Sequence, residues 1–161
     1  MDRPIGLVLP PHGPVPFFPR VVRGPCARTR VERVIERHRD GSPFEETAAY
    51  CRAVRSGQAI AVSGTAATAP DGSALYPGDT YGQTREALER AVAAAQALGA
   101  DVGDTVRTRL FLGPGSDWRE AVRAHREVFD GVDPANTTLY VAGFIPPGVL
   151  VEVELDAWVT E

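Results

Sequence analysis

The chain contains no lysine, and all 17 of its basic residues are arginine. A Schiff-base enzyme and a Walker-type phosphate loop each need a lysine, so both are excluded. Cysteine is almost as scarce. Only Cys26 and Cys51 occur, with no C-x-x-C pair, which excludes a disulfide scaffold and a cysteine-rich zinc site and points to a reduced, cytoplasmic protein. No stretch of apolar residues is long enough for a transmembrane helix, so no membrane partner is expected. The N-terminal stretch from Met1 to Phe18 is apolar, but Pro4, Pro10, Pro11, Pro14 and Pro16 interrupt it. Asp2 stands where a secretory signal wants positive charge, so none is predicted. The histidines His12, His38 and His125 form no pair at metal-ligand spacing, and no metal is expected. Gly72, Gly78 and Gly82 make no dinucleotide fingerprint, because that motif must follow a strand directly.

What is present splits the chain in two. Its 161 residues, 43% hydrophobic and 24% charged, suit one compact domain with a tail. Residues 1–40 carry eight arginines against four acids, a balance of +4, while the remaining 121 residues carry nine against seventeen, a balance of −8. Half of the 14 prolines precede residue 26. This composition predicts a Pro/Arg-rich, poorly ordered extension over 1–28 and a globular domain over 29–161. The arginines of the extension are scattered and the body is acidic, so no nucleic-acid partner is expected. Val31, Val34, Ile35 and His38 fall at helical spacing and predict a short amphipathic helix between extension and body.

The body alternates strand and helix patterns. Tyr50 to Arg55 and Gln58 to Gly64 read as strands joined by a tight turn at Ser56-Gly57. A loop over 65–78 precedes a helix capped by Asp79 or Thr80 and ended by Gly99, with Leu88, Ala91, Val92, Ala95 and Leu98 on its apolar face. A strand over 104–112 follows, then a helix over 117–129 with Trp118, Ala121, Val122, His125 and Phe129 on one side. Strands over 136–142 and 149–159 complete the order β-β-α-β-α-β-β. This is an α/β (α+β) chain whose two helices cover one face of a single sheet.

Alternation assigns the strand faces. Val149, Val151, Val153, Leu155, Ala157 and Val159 oppose Glu152, Glu154, Asp156 and Trp158. Val106, Thr108, Leu110 and Leu112 oppose Arg107, Arg109 and Phe111. Leu139 and Val141 oppose Asn136, Thr138 and Tyr140. The apolar faces are expected under the helices. The other face mixes arginines, carboxylates and aromatics, the composition of a surface that buries against further copies of the chain.

Several runs then resemble one family in order and spacing. They are Ser42-Pro43-Phe44-Glu45-Glu46, Tyr50-Cys51-Arg52-Ala53-Val54-Arg55, Val62-Ser63-Gly64-Thr65, Gln83-Thr84-Arg85, Val106-Arg107-Thr108-Arg109, Pro134-Ala135 with Thr137, and Leu150-Val151-Glu152-Val153-Glu154. Together, over about residues 42–159, they resemble the YjgF/Rid (reactive intermediate deaminase, RidA-like) family. The resemblance implies a chorismate-mutase-like fold and a homotrimer with clefts between subunits. It also implies cofactor-independent hydrolysis of reactive enamines or imines such as 2-aminoacrylate.

By the same resemblance the family's aromatic cleft residue falls on Tyr50. The glycine lining the site falls on Gly64, and the glutamate that handles the attacking water falls on Glu152. The arginine that clamps a substrate carboxylate falls on Asn136, an asparagine of the second helix on Val122, and a cysteine near the arginine on Thr138. A guanidinium offers a charged planar fork, whereas Asn136 offers one neutral amide. Losing a hydrogen bond to a charged group costs roughly 1.5–3 kcal/mol, so the substitution points away from the usual 2-aminoacrylate activity. Arg52, two residues from Tyr50, is the candidate replacement clamp. The expected reading is hydrolysis (deamination) or tautomerisation of a small reactive enamine or imine, with Glu152 as acid and base. Tyr50, Gly64, Asn136, Thr138 and Arg52 would hold the substrate. The alternative is a non-catalytic small-metabolite-binding protein that serves as a sensor or pathway partner.

Overall fold

A computed structural model describes residues 34–42 and 44–160. The extension over 1–28 and the first residues of the 29–161 domain lie outside the described residues. The elements run β1 (Ile35–His38), α1 (Phe44–Thr47), β2 (Ala53–Ser56), β3 (Ala59–Ala66), α2 (Thr80–Gln96), a short 3₁₀ turn (Val102–Asp104), β4 (Thr105–Leu112), α3 (Trp118–Phe129), β5 (Ala135–Tyr140) and β6 (Val151–Trp158). They build one six-stranded sheet in the order β1-β2-β3-β6-β4-β5. Every pairing is antiparallel except β4 with β5, which the α3 crossover makes parallel.

Two elements differ from the pattern read in the sequence. The segment expected as a helix up to His38 is strand β1, paired residue for residue with β2 from Ile35↔Ser56 to His38↔Ala53. Two helical turns without a packed face are marginal in water, and the free edge of β2 offers a ladder of hydrogen bonds instead. The strand expected from Tyr50 begins only at Ala53. Before it, Ser42 accepts a hydrogen bond at Oγ from the Phe44 N–H (3.4 Å) and starts the single turn of α1. Ala49, at φ +53°, ends that turn and swings Tyr50 back. The hairpin loop is Gly57-Gln58, because Ser56 pairs with Ala59. Gly57 supplies the positive φ (+64°) that two-residue loops need.

The helices form where the caps and periods place them. Asp79 accepts from the Gly82 N–H at 2.9 Å to cap α2, and Asp117 accepts from the Arg119 N–H at 2.9 Å to cap α3. Ala87, Leu88, Ala91, Ala94 and Ala95 of α2 are buried against Ile60, Leu110, Val151, Val153 and Leu155 of the sheet. Cys51 is buried, as a small core residue, and donates weakly to the Ala53 carbonyl. On α3 the buried stripe is Ala121, Ala124 and Phe129, not Trp118 and Val122, which stay exposed. Because α3 packs chiefly on α2, its inward direction turns toward the alanines. The Arg119 guanidinium lies over the outer Trp118 ring at 4.7 Å.

Strand faces follow alternation except where a bulge or an edge intervenes. An extra residue at Val106 shifts the β4–β6 register between Thr105 and Arg107. Thr105 is therefore buried and Val106 exposed. The β5 register pairs Asn136 with Thr108, Thr138 with Leu110 and Tyr140 with Leu112. Those polar positions thus share the helix side of the sheet, and Leu139 stands exposed on the open side, the reverse of the expected facing. The reason is that β5 is an edge strand and its parallel register with β4 fixes which side each residue takes. Gln83, fully buried on α2, ties the long loop before β6 to the body. Its Nε2 donates to the Tyr76 and Gly148 carbonyls (3.3 and 2.9 Å), and its Oε1 accepts from the Leu150 N–H (2.7 Å). An apolar side chain there would leave those backbone groups unpaired at about 1–3 kcal/mol each.

Candidate functional site

A second bulge builds the site. Between Val62 and Thr65 strand β3 carries one residue more than β6 opposite it, and Gly64 occupies that irregularity. Bulges re-aim side chains and interrupt pairing, and they concentrate beside active sites. Here the bulge brings the Gly64 backbone against Glu152 of β6. A Cβ on Gly64 would stand 2.5 Å from Glu152 Oε1, so only glycine leaves room for that carboxylate. Glu152 is half-buried and accepts no hydrogen bond among the described residues. Burial raises its pKa above the ordinary carboxylate value, the nearby Glu154 charge adds to the rise, and Arg52 offsets part of it. The neighbouring carboxylates behave differently: Glu154 and Asp156 both pair with Arg109, each at 3.2 Å.

Arg52 is not a surface side chain. It is buried, and its Nε donates to Asp40 Oδ2 at 2.8 Å. Its Nη1 donates to the Gly64 carbonyl (2.6 Å) and to Thr65 Oγ1 (3.0 Å). The Arg52 N–H donates to Glu45 Oε1 at 2.9 Å, which uses the buried Glu45 as a bracket from α1. Burial works against ionisation of Asp40, but the Arg52 hydrogen bond and charge, with the Ser42 N–H, hold its carboxyl below the ordinary value. Arg52 Nη2 carries no hydrogen bond among the described residues. The guanidinium lies 5.8 Å from the centre of the Tyr50 ring.

Tyr50, Arg52, Gly64 and Glu152 therefore converge on one hollow of about 490 Å³. Its other walls come from Phe44, Pro70, Arg90, Ile145 and Pro146, among others. Tyr50 and Arg52 reach it from an irregular segment, not from one strand face as the spacing suggested. Asn136 and Thr138 do not line it. They stand on the helix side of the sheet, whereas Glu152 stands on the open side. There they form a chain of hydrogen bonds: Thr138 Oγ1 donates to Asn136 Oδ1 (2.9 Å), Asn136 Nδ2 donates to Thr108 Oγ1 (3.0 Å), and Thr108 Oγ1 meets His125 Nε2 at 2.8 Å. Burial lowers the His125 pKa, which favours the neutral ring that can accept from Thr108. The exposed Tyr140 stays outside the hollow, with its hydroxyl 3.5 Å from the Ser116 carbonyl.

Asp40, Glu45, Phe44 and Ile145 escaped the sequence reading. For Phe44 and Glu45 a signal existed in the run Ser42 to Glu46, which carried the resemblance without assigned roles. For Asp40 and Ile145 none existed, since their place depends on chain that packs far from them in sequence. No group of three or more histidine, cysteine or carboxylate side chains able to hold a metal occurs among the described residues. No described helix is long and apolar enough to cross a membrane.

Comparison with known proteins converges on one group. Residues 41–159 match the family model described as Endoribonuclease L-PSP. An uncharacterized protein of Streptomyces coelicolor is 42% identical over 125 residues, spanning 77% of this chain and 92% of its own. A RutC family protein of Pyrococcus horikoshii is 27% identical over 109 residues, 68% of this chain and 86% of its own. Among solved structures, a member of the YjgF/YER057c/UK114 family from Mycobacterium tuberculosis superposes with a TM-score of 0.70 at 36% identity, over 78% of this chain and 100% of that one. TdcF of E. coli, solved with bound serine, gives 0.60 at 26% identity, over 69% and 88%.

Proposed function

The chain belongs to the Endoribonuclease L-PSP family, the YjgF/RutC group, and from that premise we propose that it hydrolyses a reactive imine, or its enamine tautomer, to a carbonyl compound and ammonia. The observation that carries the reading is Glu152: a half-buried carboxylate without a hydrogen-bond partner among the described residues, its pKa raised, set against the Gly64 backbone in a hollow that also holds Arg52. Hydrolysis of a C=N bond needs one group that takes a proton from water and later gives one to nitrogen, and a carboxylate with a raised pKa does both.

The steps balance without a cofactor. Glu152 takes a proton as the water oxygen bonds to the imine carbon, and the C=N π pair moves to nitrogen. Glu152 returns that proton to nitrogen, which gives an amino alcohol. Glu152 then takes the hydroxyl proton and passes it to the nitrogen, so that the C–N bond breaks as the carbonyl forms and ammonia leaves. An enamine first takes a proton at its terminal carbon and loses one from nitrogen to become the imine. Arg52 Nη2 faces a substrate carboxylate, a role Asn136 cannot fill from the far side of its own sheet. The serine bound by the E. coli relative supports an amino-acid-like ligand. A nuclease reading has less support: residues 41–161 carry nine arginines against seventeen acids, a poor surface for phosphates.

Asn136 and Thr138 can reach a hollow like this one only from a neighbouring copy. We read the open sheet face, with Phe111, Leu139 and Trp158 among charged residues, as the surface that three copies share. The test is keto-acid release from imines made in situ by an amino-acid oxidase, with semicarbazide as competing trap, alongside the mass in solution. Acceleration by a species of three times 17.3 kDa is expected. Tight ligand binding without acceleration would replace the enzyme by a metabolite-binding protein.

Gly64→Ala tests the central contact. Gly64 is not at positive φ, so the backbone tolerates alanine, and only the Glu152 carboxylate must move. A displacement of about 1 Å costs on the order of 100-fold in rate. We expect that loss in kcat with a melting temperature within about 2 °C of the parent. Parental turnover in Gly64→Ala would mean that the carboxylate position is immaterial.

A further inference from the structure

Resting on the imine-hydrolysis reading, we propose that the substrate is a 2-imino acid with a branched or aromatic apolar side chain, held against Phe44, Pro70, Ile145 and Pro146 of the hollow. Phe44 is 48% and Ile145 92% exposed. Single exposed apolar residues need no explanation. These two, however, line one concavity together with Ala48, Ala66 and Ala69, beside the hydroxyls of Ser42, Thr65 and Thr68. A hollow of about 490 Å³ falls among pockets that take ligands of drug size, roughly 300–1,000 Å³. A three-carbon imine would leave most of it wet.

The polar groups sit where the reacting end would lie. Arg52 and Glu152 meet at Gly64, and Arg52 Nη2 is available to a carboxylate. The second arginine of the hollow, Arg90, is engaged elsewhere: Nε with Glu86 (2.7 Å) and Nη1 with the Thr68 carbonyl (2.7 Å). A second carboxylate on the substrate would therefore meet a cation already neutralised by Glu86. An apolar side chain instead removes Phe44 and Ile145 from water, and each extra methylene in such a pocket is worth about tenfold or more in specificity.

The experiment measures kcat/KM for imines generated from phenylalanine, leucine, alanine and glutamate, together with calorimetric binding of phenylpyruvate and pyruvate. Phenylalanine and leucine imines are expected at least tenfold above those of alanine and glutamate. Ile145→Ser, at a position too exposed to disturb the fold, is expected to lower the phenylalanine-to-alanine ratio severalfold. Equal rates, or a preference for the alanine or glutamate imine, would overturn the side-chain assignment and leave imine hydrolysis standing. Inertness toward every imine would overturn the hydrolysis reading. In that event, phenylpyruvate binding at least tenfold tighter than pyruvate would keep the apolar assignment for a bound ligand, and equal binding would end it too.

Discussion

Glu152→Gln is expected to lower turnover by about 10²- to 10⁴-fold, the usual contribution of a positioned acid–base group, and at the same time to raise the melting temperature at neutral pH. Both effects come from one cause. Burial first, then the Glu154 charge, raises the Glu152 pKa against the partial opposition of Arg52. The folded chain therefore binds this proton more tightly than the unfolded chain does. Stability falls as pH rises from the unfolded value through the raised folded value, and the deficit is complete above it. Glutamine has no such proton to lose. The variant should melt above the parent at about pH 7–8 and level with it below about pH 4, where both forms are neutral. In the parent, kcat/KM should fall on the acid side as pH passes through the raised value, which lies above that of a free carboxylate. Melting curves at two pH values and a pH–rate profile read all three effects. A Glu152→Gln protein that keeps parental turnover would remove the proposed chemistry. One that melts lower at neutral pH would mean that the carboxylate is a structural asset.

The second large effect belongs to Arg52. It joins the Asp40 carboxylate, the Gly64 carbonyl and Thr65 Oγ1 in one planar fork, a geometry a lysine ammonium cannot reproduce. Arg52→Lys is expected to weaken binding of a carboxylate-bearing ligand by about 10- to 100-fold, from the 1.5–3 kcal/mol of a hydrogen bond to a charged group. Arg52→Ala is expected to cost fold stability as well. Removing one partner of a buried ion pair costs about 3–5 kcal/mol, but the Asp40 side chain is 38% exposed, so water relieves part of the loss and about 2–3 kcal/mol remains. This loss has its own pH signature. The Asp40 pKa is depressed in the folded chain, so the stability it contributes is present above the unfolded value and disappears as pH falls through the folded one. The parent and Arg52→Ala should therefore converge in urea titrations at low pH. Parental ligand affinity in a folded Arg52→Lys would show that the carboxylate is held elsewhere.

Local signals carried much of this architecture. Asp79 and Asp117 cap the two long helices, and the alternation of Val151, Val153, Leu155 and Ala157 with Glu152, Glu154 and Asp156 was readable from the chain alone. So was the convergence of Tyr50, Gly64 and Glu152, though only through the ordered runs shared with a family. The face of Asn136 was not readable. Alternation says that Asn136, Thr138 and Tyr140 lie together, but not which side of the sheet they take. On an edge strand with few apolar residues the hydrophobic pattern barely distinguishes the two.

The sequence by itself determined the boundaries of the two long helices, the in-and-out alternation of β6 and the arginine-only basic set that excludes lysine chemistry. Capping and periodicity act within a few residues of chain, so they are written locally. Only the tertiary structure decided that Ile35–His38 is an edge strand, that bulges at Gly64 and Val106 re-aim their neighbours, and that Arg52 is held by Asp40. It alone brought Phe44 and Ile145 to one hollow. Each of these depends on hydrogen-bond partners and packing surfaces that arrive from distant segments, and a bulge is visible only as a mismatch between two strands already paired.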